Sequence, residues 1–152
     1  MKFICGGQTG VDRAVLDACL ENDFPCGGWC PKGRLAEDGP IPEKYPLFET
    51  DSIDYAVRTE KNVLAADATV IFFDGEMSGG TLLSKEIAIR YNVPFLEIDY
   101  SKISDLEIAV ALKKFLKSSS FNVVNFSGPR ESESVSAYPV IKKSVIALIN
   151  LI

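Results

Sequence analysis

Residues 2–10 read Lys2-Phe3-Ile4-Cys5-Gly6-Gly7-Gln8-Thr9-Gly10. A short apolar run stops at two glycines and a hydroxyl residue follows. From Asp12 to Asn22 apolar residues then recur at helical spacing through Val15, Leu16, Cys19 and Leu20. The run is too short to be typed by its period, but the Gly-Gly pair marks it as a strand end. The same punctuation returns twice. Thr69 to Phe73 is followed by Ser78-Gly79-Gly80-Thr81, and Asn122 to Phe126 by Ser127-Gly128-Pro129-Arg130. Glycines let a ligand approach the backbone, and the first N–H groups of a following helix have no partner within it, which suits an anionic group such as phosphate. If the three strands are parallel, their loops share one rim of the sheet, where open α/β folds bind ligands.

The segments between these units alternate in the same way. Phe24 to Trp29 holds a short strand interrupted by Gly27-Gly28. Ile53 to Ala66 reads as a helix, Asp67 to Phe73 as a strand, and Thr81 to Asn92 as a helix. Val93 to Ile98 is a strand, Leu106 to Lys117 a helix, and Asn122 to Phe126 the last strand. Ile141 to Ile152 is a very apolar helix with Pro139 in its first turn. Val70-Ile71-Phe72-Phe73 suits a central parallel strand buried on both sides. Alternation throughout predicts an α/β fold with a mainly parallel sheet of about five strands, in one domain over residues 1–152. The terminal helix is apolar on more than one face, and core packing accounts for that better than a partner does.

Residues 31–50 are rich in Pro, Gly and charge. Long irregular loops are uncommon in compact domains, so this one is read as covering the ligand rather than linking domains. On the wheel of the helix that follows, Ile53, Ala56, Val57, Val63 and Leu64 form an apolar face with Glu60 at its centre. A carboxylate there needs a partner: it reaches the ligand rim or it is a satisfied structural acid. Arg58 and Asn62 fall on the opposite face and are expected in solvent unless a partner subunit or the long loop covers them.

Composition narrows the function. The 152 residues carry 47% hydrophobic and 24% charged side chains, and their net charge of −5 does not suit a general nucleic-acid binder. No run approaches the roughly 20 apolar residues that span a bilayer, so no membrane partner is expected. Met1-Lys2 leads straight into a strand, so no signal peptide is expected and a cytoplasmic location follows. There is no histidine, which removes Ser-His-Asp and Cys-His catalysis and His-ligated zinc. Cys5, Cys19, Cys26 and Cys30 read as reduced thiols, mostly buried; Cys26 or Cys30 as a soft contact near the ligand is the other reading, and no metal site is assigned.

The loops supply the candidate site: Gly6, Gly7, Gln8, Thr9 and Gly10 from the first, Ser78, Gly79, Gly80 and Thr81 from the second, Gly128 and Arg130 from the third. Thr9, Ser78, Thr81 and Ser127 would offer hydroxyls to phosphate oxygens. Arg13, Lys32, Arg34 and Arg130 would supply charge, arginine in bidentate fashion. Asp12, Asp38, Glu60 and Glu86 are the carboxylates close enough in sequence for acid–base work. Asn125 and Glu60 would read a heterocycle edge. The dinucleotide, P-loop and nucleophile-elbow patterns are all missing.

Taken together, the segments Gly6 to Arg13, Gly27-Gly28-Trp29-Cys30-Pro31-Lys32-Gly33-Arg34, Glu37-Asp38-Gly39, Arg58-Thr59-Glu60 with Asn62-Val63, Ser78 to Thr81, and Gly128 to Ser132 resemble the molybdenum cofactor carrier family over nearly the whole chain. That family belongs to a wider Rossmann-like group with the lysine-decarboxylase-like cytokinin phosphoribohydrolases and the DprA-type proteins. The resemblance implies a Rossmann-like three-layer sandwich and a homo-oligomer, dimer or tetramer. It implies a carrier or sensor of a small phosphorylated pterin or nucleotide-like ligand, with molybdenum cofactor as the leading candidate, rather than an enzyme. The alternative it implies is a nucleoside 5'-monophosphate phosphoribohydrolase using Glu60 or Glu86. The phosphoribohydrolase signature Gly-Gly-x-Gly-Thr-x-x-Glu is incomplete here: one glycine is missing, and Ser84 stands three positions after Thr81.

Overall fold

The computed structural model describes residues 1–152. In chain order the elements are β1 (Lys2–Ile4), α1 (Val11–Glu21), β2 (Cys26–Gly27), β3 (Trp29–Cys30), β4 (Leu35–Ala36), β5 (Gly39–Pro40) and β6 (Phe48–Glu49). There follow α2 (Tyr55–Leu64), β7 (Ala68–Phe73), α3 (Gly79–Arg90), β8 (Phe95–Asp99), α4 (Asp105–Leu116), β9 (Val123–Ser127) and α5 (Ala137–Leu151). The main sheet has five strands in the order β2-β1-β9-β7-β8, and every pair in it is parallel. Two layers of helices complete a Rossmann-like three-layer sandwich, as the alternation and the resemblance implied. No helix is long and apolar enough to cross a membrane.

Register decides what each face of the sheet carries. Phe3 pairs with Val124 and that with Ala68; Phe126 pairs with Val70 and that with Leu96. This face packs on α1, α4 and α5 in a core of 20 buried residues, with α5 between α1 and α4. Ile141, Val145 and Leu148 of α5 are fully buried in it. The row alternating with it holds Ile4, Asn125 and Thr69, then Ser127, Ile71 and Glu97. That face lies under α2 and α3, whose own core is only Val63, Ile87 and Ala88.

Several sequence expectations change here. Phe24 to Trp29 is not one strand: β2 joins the main sheet, while β3 pairs with β6 in a separate two-stranded sheet. Gly28, between them, adopts a positive φ that turns the chain out of the first sheet. Residues 31–50 are not irregular throughout, since β4 and β5 form a small antiparallel hairpin. Gly79 and Gly80 are the first turn of α3 and not a loop before it.

Most of the expected apolar face of α2 turns outward, with Val63 the exception. Ile53, Val57 and Leu64 are exposed, whereas Thr59, Asn62 and Val63 are buried. The polar stripe turns inward because its groups find partners there. Asn62 accepts from Trp29 N–H at 2.9 Å and donates to Trp29 O at 2.8 Å, and Thr59 donates to Tyr55 O. Cys5, Cys19 and Cys30 are buried, Cys26 is half-buried, and all four thiols are free.

Candidate functional site

Three adjacent strands, β1, β9 and β7, end at the same edge of the sheet, so their loops meet there. Gly10 fixes the first loop to the last. Its φ of 78° favours glycine, and a Cβ would strike Pro129 O and the Arg130 backbone. The N–H of Val11 donates to Pro129 O at 3.2 Å across the same seam. Between these loops and α2 lies a cleft of about 250 Å³. Gln8, Asp12, Tyr55, Arg58, Thr81 and Arg130 are among its walls, with Gly80, Ser127, Gly128 and Glu133. This is just below the ~300–1,000 Å³ range of small-molecule sites.

Arg58 is the cation at its floor. Its guanidinium lies against Gly6, where any side chain would collide with it. Nη1 stands 3.7 Å from Asp12 Oδ2, and the two side chains are 14% and 5% exposed. Nε is buried with no hydrogen-bond partner. A buried donor left unpaired costs about 1–3 kcal/mol, so an acceptor brought to it gains more than a surface contact would. Burial pushes the Asp12 carboxyl above its ordinary value, although Arg58 and the N–H groups of Gln8 and Gly6 oppose that rise. The Gln8 N–H donates to Asp12 Oδ2 at 3.1 Å.

The opposite wall is the start of α3. Ser78 is the N-cap residue, but its side chain makes no capping bond, so the first turn is left for another acceptor. Thr81 is 5% exposed and faces the cleft. Below it Ser84 and Ser127 share a hydrogen bond of 2.7 Å between α3 and β9. On the rim, Arg130 Nε donates to Glu133 at 3.2 Å and remains 41% exposed.

The structure thus gathers Gln8, Asp12, Gly80, Thr81, Gly128 and Arg130 around one cleft. Ser78 lines a side cleft that shares Thr81 and Glu133 with it. Other candidates are placed differently. Thr9 is tied to Glu37, and Arg13 forms a bidentate pair with Asp38 while donating to Gly7 O at 2.6 Å. Arg34 donates to the carbonyls of Ile41, Leu47, Pro42 and Tyr45 and so holds the long segment together. Lys32 is exposed beside β3. Asn125 is buried under the cleft, donating to Thr69 Oγ1 at 3.4 Å. Gly79 begins α3 outside the lining. Glu60 is half-buried and Glu86 exposed, and neither lines the cleft.

The residues that sequence reasoning placed in solvent or left out are Arg58, Tyr55, Thr59 and Glu133. The usable signal for Arg58 was its place in the matched Arg58-Thr59-Glu60 segment. No group of three or more His, Cys, Asp or Glu side chains is placed to hold a metal ion.

A parallel sheet with a polar cleft at the ends of three adjacent strands, floored by a largely covered arginine and walled by a helix N-terminus, defines a protein of the Rossmann-like class. The chain belongs to a particular branch of that class: the model of the circularly permutated YpsA SLOG family matches residues 3–149. Among solved structures it is similar to a crystal structure at 1.45 Å from Syntrophus aciditrophicus SB, of a protein that carries the provisional name molybdenum carrier protein. The two are 41% identical over 97% of this chain and 94% of that one, with a TM-score of 0.94. No protein of curated function matches the chain.

Proposed function

We propose that the cleft binds the phosphate end of a small phosphorylated ligand, a pterin or a nucleotide-like molecule, and that the protein carries or senses it without transforming it. Molybdenum cofactor is the leading candidate because of the name given to the 41% identical structure. The observation that supports the reading is Arg58, a cation at the cleft floor that is only 14% exposed and whose Nε has no partner, with the uncapped first turn of α3 as the opposite wall. Phosphate oxygens would accept from Arg58, from the α3 turn, from the Thr81 hydroxyl and, at the rim, from Arg130. The four free thiols fit a reducing compartment such as the cytoplasm.

Phosphoribohydrolase chemistry is the weaker reading. The carboxylates it would use, Glu60 and Glu86, stand outside the cleft. The acid inside, Asp12, is engaged by Arg58 and by the Gln8 N–H.

We also infer a homo-oligomer paired through the outer side of α2 and α3. Ile53, Val57, Leu64, Leu82 and Ile89 are exposed there. Glu60, Glu86 and Arg90 beside them have no ion-pair partner in the chain. Acids and a base within one apolar patch suit a second copy of that patch across a two-fold axis.

Thermal-shift titration with molybdenum cofactor, AMP and inorganic phosphate tests the binding. A rise in melting temperature that is lost in Arg58→Met is expected. No shift with any of the three at millimolar concentration overturns the proposal, and adenine release from AMP would favour the hydrolase.

A further inference from the structure

The long segment after β3 is fastened to the rim through the tip of one hairpin. Glu37 and Asp38 form the turn between β4 and β5. The Glu37 carboxylate accepts from the Thr9 hydroxyl, from Ser132 N–H at 3.1 Å and from Ser132 Oγ at 2.6 Å. It lies 3.8 Å from Arg130 Nε. The Glu37 N–H donates to Gln8 Oε1 at 2.9 Å, and the same oxygen accepts from Thr9 N–H at 3.1 Å. Thr9 Oγ1 in turn accepts from the N–H of Glu131, 122 positions along the chain. One carboxylate therefore joins the hairpin, the loop after β1 and the loop after β9. In the cleft wall the carboxylate itself approaches only Arg130, while Gln8 is held by the Glu37 backbone N–H; the loops the carboxylate ties together, at Thr9 and Ser132, are those that carry Gln8 and Arg130.

We propose that Glu37 is a positioning residue for the cleft: a latch whose carboxylate ties together the loops that carry Gln8 and Arg130, so that docking of residues 31–50 on the rim and binding of an anion are coupled. The binding half of this rests on the function proposed above; the latch half does not. Neutralising the carboxylate removes the charge from every bond it accepts, and hydrogen bonds to charged groups are about twice as strong as neutral ones.

Burial disfavours the ionised Glu37, but the Ser132 and Thr9 hydroxyls, the Ser132 N–H and Arg130 outweigh it and hold the carboxyl below its ordinary value. The latch is thus intact above the ordinary carboxylate range and opens as pH falls through the lowered value. The charged group that faces it is Arg130 from the last loop, itself paired with Glu133; Asp38, its neighbour on the hairpin, is engaged by Arg13 of α1.

Amide hydrogen exchange on the whole ligand-free chain tests the latch. In Glu37→Gln the Ser132 amide should exchange roughly tenfold faster, as expected for the loss of one charge-assisted bond, while Val70 in β7 is unchanged. In the wild type, protection at Ser132, corrected for intrinsic rate, should fall as the carboxyl protonates, and in the variant it should stay flat with pH. The wild-type pH profile needs no variant to fold. Equal protection at Ser132 in both proteins overturns the latch, as does a wild-type profile without an acid transition.

Titration with inorganic phosphate tests the coupling. The variant should bind roughly tenfold more weakly than the wild type, and Glu37→Asp should recover part of the loss. Equal phosphate affinity of wild type and Glu37→Gln overturns the coupling. If the wild type binds no phosphate, the proposed function fails, and the exchange result still decides the latch.

Discussion

The two faces of the central sheet are made of different chemistry. Beneath α1, α4 and α5 the strands present Phe3, Val124, Phe126, Val70 and Phe72, all buried in a single core of 20 residues. Beneath α2 and α3 they present Asn125, Thr69 and Ser127 among the buried Ile4 and Ile71, and the helices share a core of only three buried apolar side chains. The first face stabilises the fold by removing apolar area from water, in proportion to that area. The second face gives up that gain to keep polar groups at the cleft. An uneven division of this kind is expected where a fold holds a binding site, because sites depart from the best local packing.

The same substitution on both faces gives the largest test. Ile141 and Ile87 are 0% and 1% exposed, one in each core. Truncating a buried isoleucine to alanine costs about 2–5 kcal/mol, depending on how far the site collapses. Ile141→Ala should fall near the top of that range and Ile87→Ala near the bottom, measured by urea denaturation with unchanged slope. Equal losses would break the contrast.

Next in size is the buried ion pair. Arg58→Met strands the Asp12 carboxylate, and breaking such a pair costs about 3–5 kcal/mol where burial is complete; the 14% exposure of Arg58 puts the expectation at or below the lower figure. Adding Asp12→Asn should restore much of the stability without restoring phosphate binding, which separates the structural role of Arg58 from its role in the cleft.

Asp12→Asn alone should have a smaller effect of opposite sign on binding. Asp12 has a folded-state pKa raised by burial, so its contribution to stability is present below the ordinary carboxylate value and is lost as pH rises through the raised one. The variant should lose that slope in a pH series of melting temperatures. It should also bind inorganic phosphate a few-fold more tightly, because a negative charge beside the anion is gone and Arg58 is released to it.

The smallest effect on stability is expected at the outer surface. Val57→Asp on α2 should change the unfolding free energy of a monomer by no more than about 0.5 kcal/mol. It should nevertheless shift the size-exclusion profile to the monomer, whereas Leu106→Asp, at an exposed apolar position of α4, should not. If both variants elute with the wild type, the α2–α3 face is not where copies pair.

The strand–glycine–helix units were legible because both signals are local. An apolar run such as Val70-Ile71-Phe72-Phe73 has few other uses, and the helix read from Asp12 to Asn22 is observed at Val11–Glu21. The face of α2 was not legible. A helical wheel separates apolar from polar residues, but which stripe turns inward depends on partners distant in sequence: Asp12 for Arg58 and the Trp29 backbone for Asn62. Two of the four cations expected at the site are engaged elsewhere for a related reason. Arg13 and Arg34 stand near the glycine loops in sequence, yet Asp38 and four carbonyls of residues 41–47 engage them first. The hairpin at β4 and β5 has two-residue strands, too short to leave an alternating pattern.

The position of β9 bears on how the chain is made. It lies between β1 and β7, so the pairs β2-β1 and β7-β8 do not touch within the sheet until residues 123–127 arrive. Until β9 pairs, β1 and β7 each have an unpaired inner edge, and that of β7 belongs to a very apolar strand. Exposed edges of this kind are templates for misassembly. The sheet is therefore joined into one only when β9 inserts, a consequence of building the cleft from three neighbouring strands.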